Sequence, residues 1–153
     1  MARIQRSALV PVSLIGEQEA GCFLRSVYSE LPEDVDTICK EIPRYGAVLV
    51  YEAGEGRCII ADLLESLPGI PDHNRIIASM VDGALYLVVS RDDDLLLANA
   101  YPAPDFTTAE YYIFLAMKSL QLNPEQSVIR FASPLDEEQE MSLGRYFMGV
   151  ELL

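Results

Sequence analysis

Two acid-bearing turns carry the residues best suited to chemistry in this chain: Asp82-Gly83 and Asp92-Asp93-Asp94. Turn aspartates can hold a divalent ion, and a glycine lets backbone N–H groups approach a phosphate with no Cβ in the way. Together they are candidates for a degenerate Mg-ATP site. Local geometry offers a competing explanation. Asp-Gly is the preferred pair for a type I′ hairpin, which needs positive φ at both central residues. A run of aspartates also makes an ordinary solvated turn, and it repels a triphosphate unless a metal intervenes. Asn99, polar inside the otherwise apolar stretch LLLANAY, is the remaining candidate. It either satisfies a hydrogen bond to a neighbouring loop or marks a binding cleft.

Other groups give weaker signals. Gly54-Glu55-Gly56 begins like a dinucleotide fingerprint, but the third glycine would fall at Ile59. A G-x-G alone is explained by turn chemistry. His73 is the only histidine and has no nucleophile near it in sequence, so it reads as a loop or interface residue. Cys22, Cys39 and Cys58 are too scattered for a metal knuckle and read as buried small hydrophobes. No cofactor and no catalytic residue are expected.

The elements that must position these groups are legible from period and punctuation. Ser7 to Val10 is a short strand stopped by Pro11. A helix starts at Glu17, with Ala20, Phe23, Leu24, Val27 and Tyr28 on one face. Asp34 to Ile42 fits a helix face or an edge strand. Gly46 to Glu52 is a buried strand, apolar on both faces. Arg57 to Leu67 is a helix closed by Pro68-Gly69, and the segment Ile70 to Asn74 divides two lobes, residues 1–72 and 73–153.

Three strands follow, RIIASMV, ALYLVVS and DLLLANAY. The middle one is apolar on both faces, which places it inside a sheet covered by helices on each side. Thr107 to Leu122 is a helix in which Thr107 and Glu110 form a capping box and Phe106 staples onto Tyr111. Its apolar residues, Tyr111, Phe114 and Leu115 included, run almost all round, so burial on more than one side is expected. Ser127 to Ala132 is a strand. A last helix opens at Ser133 and buries Leu143, Tyr146, Phe147 and Val150.

A three-strand meander followed by helix, strand and helix is the layout of a ribonuclease-H-like or actin-like unit, an α/β fold with mixed sheets flanked by helices. Nucleases of this layout hold two metal ions with carboxylates on the first strand, the first helix and the fourth strand. RIIASMV and SVIRFA contain no acid, and Glu110 is assigned to a cap. Two-metal catalysis is thereby excluded.

Composition narrows the partners. Eleven basic residues against 24 acidic ones give a net charge of −13. Phosphate affinity depends on neutralising backbone charge with Lys and Arg, so nucleic acid and anionic membrane surfaces are disfavoured. No apolar run is long enough to span a bilayer. The early arginines do not read as a signal peptide, and the cytoplasm is the expected compartment.

The run from Leu95 to Ser133, LLLANAYPAPDFTTAEYYIFLAMKSLQLNPEQSVIRFAS, resembles the signature region of a Bacteroidetes family of unknown function. Leu120-Gln-Leu-Asn-Pro124, Leu9-Val10-Pro11 and Ala47-Val-Leu-Val-Tyr51 also look like their counterparts. The resemblance implies two ribonuclease-H-like, actin-like units in tandem, the first lacking an N-terminal meander. The expected function is a non-catalytic scaffold or protein-interaction domain, with a protein partner or a second copy covering exposed surface.

Overall fold

A computed structural model describes residues 4–15, 20–54 and 57–153. Its elements are β1 (Ser7–Pro11), α1 (Ala20–Val27), β2 (Thr37–Ile42), β3 (Ala47–Glu52), α2 (Ile59–Ser66), β4 (Asn74–Val81), β5 (Ala84–Arg91), β6 (Asp94–Pro102), α3 (Phe106–Ser119), β7 (Val128–Phe131), α4 (Glu137–Gly144) and β8 (Gly149–Leu152). The proposed helix start at Glu17 lies outside the described residues.

Two sheets result. The first, ordered β1-β3-β2, is antiparallel, with Leu9 opposite Leu49 and Ile38 opposite Tyr51. Of the segment Asp34 to Ile42, the part from Thr37 on is therefore an edge strand, and no helix forms there. Pro11 ends the other edge, where its missing N–H costs no ladder bond. The second sheet is ordered β6-β5-β4-β7-β8, with an antiparallel meander β4 to β6 and parallel β4–β7 and β7–β8 pairs. This is the mixed α/β sheet expected of an actin-like unit.

Alternation along the central strands sorts their side chains into three cores. Val48 and Val50 of β3 face α1 through Leu24, while Leu49 faces the opposite way into a core shared with α2. In β5, Tyr86 and Val88 enter that shared core, whereas Leu85, Leu87 and Val89 meet Ala109, Ile113 and Met117 of α3. Helix α2 thus lies between the sheets, with Ile60, Leu63 and Leu64 buried among residues of both. Lys40 of β2 also pairs with Glu65 of α2.

Several local assignments change. The last helix is shorter than its sequence pattern, because Val150 belongs to the parallel strand β8. Its cap is Asp136, which forms a capping box with Gln139. Ser133 instead accepts the Met80 N–H at 2.9 Å. Helix α3 is capped by Asp105, so the Thr107–Glu110 box does not form. Glu110 accepts from the Ser142 hydroxyl at 3.0 and 2.9 Å, tying α3 to α4. Phe106 packs toward Phe131 rather than stapling Tyr111. Tyr111, Leu115 and Tyr146 are exposed rather than buried, and so is Cys39 on the edge strand β2.

The Asp105 cap gives a pH prediction. The Thr108 N–H donating to its carboxylate holds Asp105 below the ordinary carboxylate range. A lowered folded value contributes stability above the ordinary range, and that stability is lost as pH falls through the folded value. Asp105→Ala should therefore lower the melting temperature at neutral pH and bring the two proteins together in acid. Melts from about pH 6 down to about pH 2 check this.

Candidate functional site

The end of the shared core nearest the β4–β5 hairpin opens into a cleft of about 680 Å³. Its walls come from both sheets and from the start of α2, and include Arg6, Tyr51, Glu52, Gly54, Arg57, Asp82 and Tyr86. Asp82 and Gly83 have φ of 51° and 75°, the geometry their turn chemistry requires. Of the sequence candidates, Asp82 and Gly54 thus meet at one cleft. Glu55 and Gly56, the rest of the G-x-G stretch, lie outside the described residues.

The phosphate-facing features of this cleft already have internal partners. At the N-terminus of α2, the Ile59 N–H donates to Gln5 Oε1 at 2.8 Å. Gln5 Nε2 donates to the Arg57 carbonyl at 2.9 Å, and the Gln5 N–H donates to the Tyr86 hydroxyl at 2.8 Å. Gln5 thus takes the first N–H of a helix end that would otherwise attract an anion. Arg6 pairs with Glu30 at 3.4 Å and Glu52 at 3.6 Å, and Arg57 pairs with Asp62 at 3.0 Å. With Asp82 also on the wall, the cations present are already offset by carboxylates.

Acid–base chemistry is equally muted. Burial pushes the Tyr86 phenol up, against the pull of the Gln5 N–H, and nearby Asp82 raises it further. Burial also pushes the Cys58 thiol up, outweighing the Ala61 and Ile60 N–H groups that would favour a thiolate. Both stay protonated and neutral near pH 7.

The remaining candidates lie elsewhere. Asp92, Asp93 and Asp94 sit at the far end of β5, a strand of eight residues and about 26 Å. They do not share a site with Asp82 and Gly83. Asp92 Oδ1 meets His73 Nδ1 at 2.6 Å, and Asp93 meets Arg44 at 2.8 Å and Arg75 at 3.8 Å. Arg44 belongs to the β2–β3 connection, so this turn latches the two sheets together. Asp94 begins β6. Among the described residues, no group of three or more His, Cys, Asp or Glu could hold a metal ion.

Asn99 lies on β6, away from the cleft, and its Oδ1 accepts the N–H of Ala100 at 2.9 Å. Ala103 donates inward to the Gly83 carbonyl. Antiparallel bonding alternates, so the Ala100 N–H faces the open edge of the sheet. Pro102 has no N–H to offer there. Asn99 and Pro102 therefore blunt this edge against strand addition. Gln5, the residue that decides the cleft, carries no local signal in the sequence. Its partners are 52, 54 and 81 positions away.

Comparison with known proteins agrees with this architecture. The structure is similar to a solved Bacteroides thetaiotaomicron protein described as having an actin-like ATPase fold and unknown function, with a TM-score of 0.80 and 16% identity. The match covers 98% of this chain and 65% of that one, so the chain spans about two thirds of that protein's length. At this identity the likeness establishes the fold. No curated protein matches. Among the described residues, no helix is long and apolar enough to cross a membrane. The family model for proteins of unknown function DUF3822 matches residues 56–147. On that match, with the fold beside it, the chain belongs to the DUF3822 family.

Proposed function

We propose that this chain is a non-catalytic protein-docking module that keeps the actin-like ATPase fold without nucleotide chemistry. Gln5 carries this reading, because its side chain occupies the helix end that a phosphate would need. A nucleotide would have to displace Gln5 and break the arginine pairs before gaining a contact, each at a cost. Exposed apolar side chains on α3 and α4 supply the docking half of the proposal. The net charge of −13 argues against nucleic acid and anionic membranes as partners. The free thiols suit a reducing cytoplasm.

A second reading, Mg-ATP binding, is favoured by the fold and by Asp82 on the cleft wall. A thermal melt with and without millimolar Mg-ATP separates the two. Ligand at about 100 times its dissociation constant would add about 2.7 kcal/mol. The docking module should show no shift. A magnesium-dependent rise of several degrees, lost in Asp82→Ala, would establish the second reading instead.

A further inference from the structure

We propose that the outer face of α3 and α4 docks a cationic amphipathic helix of a partner protein. This rests on the docking-module reading above and names its partner chemistry. Tyr111 and Leu115 of α3, Met141 of α4, and Tyr146 and Met148 beyond it expose 61%, 44%, 65%, 54% and 63% of their surface. Helical spacing puts Tyr111 and Leu115 one turn apart on the same side of α3.

The face is held in shape from beneath. Phe114 meets Tyr146 edge-on at 5.0 Å and stacks on Phe147 at 5.6 Å. Tyr111 lies edge-on to Tyr112 at 5.4 Å, and Tyr112 stacks on Tyr101 at 4.7 Å. The Ser142–Glu110 bonds fix α4 against α3. A partner therefore meets a surface whose aromatic groups need little further ordering.

The chemistry of the occupant follows from what the face offers. Tyr111, Leu115 and Met141 stand on helices, and beyond α4 the Tyr146 N–H donates to the Leu143 carbonyl and the Met148 N–H to those of Pro124 and Ser127, so recognition must run through side chains. The open β6 edge, the alternative for a strand partner, is blunted by Asn99 and Pro102. An apolar helix face laid along α3 and α4 meets the requirement, and methionine with aromatic rings adapts well to such a ligand.

Charge selects the sign. Asp136, Glu137, Glu138 and Glu140 are exposed at the start of α4, beside Met141, and outnumber the exposed cations of these elements, Lys118 near Leu115 and Arg145 next to Tyr146. Lys and Arg flanking the apolar stripe of an incoming helix would complement them. A second copy would bring the same acidic rim and another −13 charge to the contact, which opposes self-association.

The test titrates the whole chain against a labelled Leu/Lys amphipathic peptide of about 18 residues, long enough to form a helix on binding. A Leu/Glu counterpart is the control, and fluorescence anisotropy is the readout. Two double variants, Tyr111→Ser with Met141→Ser and Leu115→Ser with Met148→Ser, remove exposed groups and should keep wild-type melts. Saturable binding of the Leu/Lys peptide is expected, weakened about tenfold or more in each double variant, with no binding of the Leu/Glu peptide.

Unchanged affinity in both variants would reduce the effect to net charge and overturn the assignment, as would no binding at all. A concentration-dependent dimer in sedimentation, abolished by the same variants, would give the face to a second copy instead. A Mg-ATP shift in the melt would sink the docking-module reading without touching the peptide result, so the two failures are distinguishable.

Discussion

Replacing Leu64 by Ala should lower the unfolding free energy by about 3 kcal/mol and the melting temperature by roughly 6–12 °C. Leu64 is only 2% exposed, in the core that α2 shares with both sheets. It shares that core with Leu49 of β3 and Ile77 of β4, so its truncation is expected to loosen both sides together. Amide exchange should therefore speed up in β3 and in β4 alike, and unfolding should remain one transition. Faster exchange confined to one sheet would mean that α2 does not couple them.

Phe131→Ala should cost about 3–5 kcal/mol, the upper end for a single core substitution here. Phe131 is 1% exposed on β7 and faces the α3 side of the five-stranded sheet, with Phe106 at a ring separation of 6.3 Å. The cavity would open beneath α3, so exchange should rise first in α3, β7 and β8. The three-stranded sheet, with its own core around Val50 and Leu24, should change least. Equal loosening of β1 and β3 would contradict this division of cores.

The meander was legible because its signals are local. Alternating apolar residues and an Asp-Gly turn leave few other structures open to residues 74–102, and β4, β5 and β6 fall where their patterns place them. The end of the chain was harder. Gly149-Val-Glu-Leu is four residues long and becomes a strand only because β7 offers it a parallel edge. No short-range pattern encodes that pairing. The α3 cap is ambiguous in sequence because Asp105 and Thr107 both stand before the apolar run, and only the entry angle of the chain chooses between them.

Function was less legible than fold, for a related reason. The apolar residues of α3 run nearly all round, which reads as burial on several sides, yet Tyr111 and Leu115 remain exposed among the described residues. The acidic turns drew attention by composition, but hairpin geometry and the Arg44–Asp93 latch account for their conformation and contacts. Gln5 reads as an unremarkable residue near the start of the chain until the fold brings it to Arg57, Ile59 and Tyr86.

The amide of Ile59 reports most directly on whether the cleft is closed. Its N–H, at the helix start that faces the cleft, is held by Gln5 Oε1 at 2.8 Å. The measurement is a two-dimensional amide NMR titration of the whole chain with Mg-ATP into the millimolar range. With the helix end closed by its own side chain, the Ile59 and Gly83 resonances should stay in place throughout. Saturable movement of both, with the Gln5 side-chain amide signals shifting in step, would show that nucleotide displaces the cap and would contradict a cleft emptied of its chemistry.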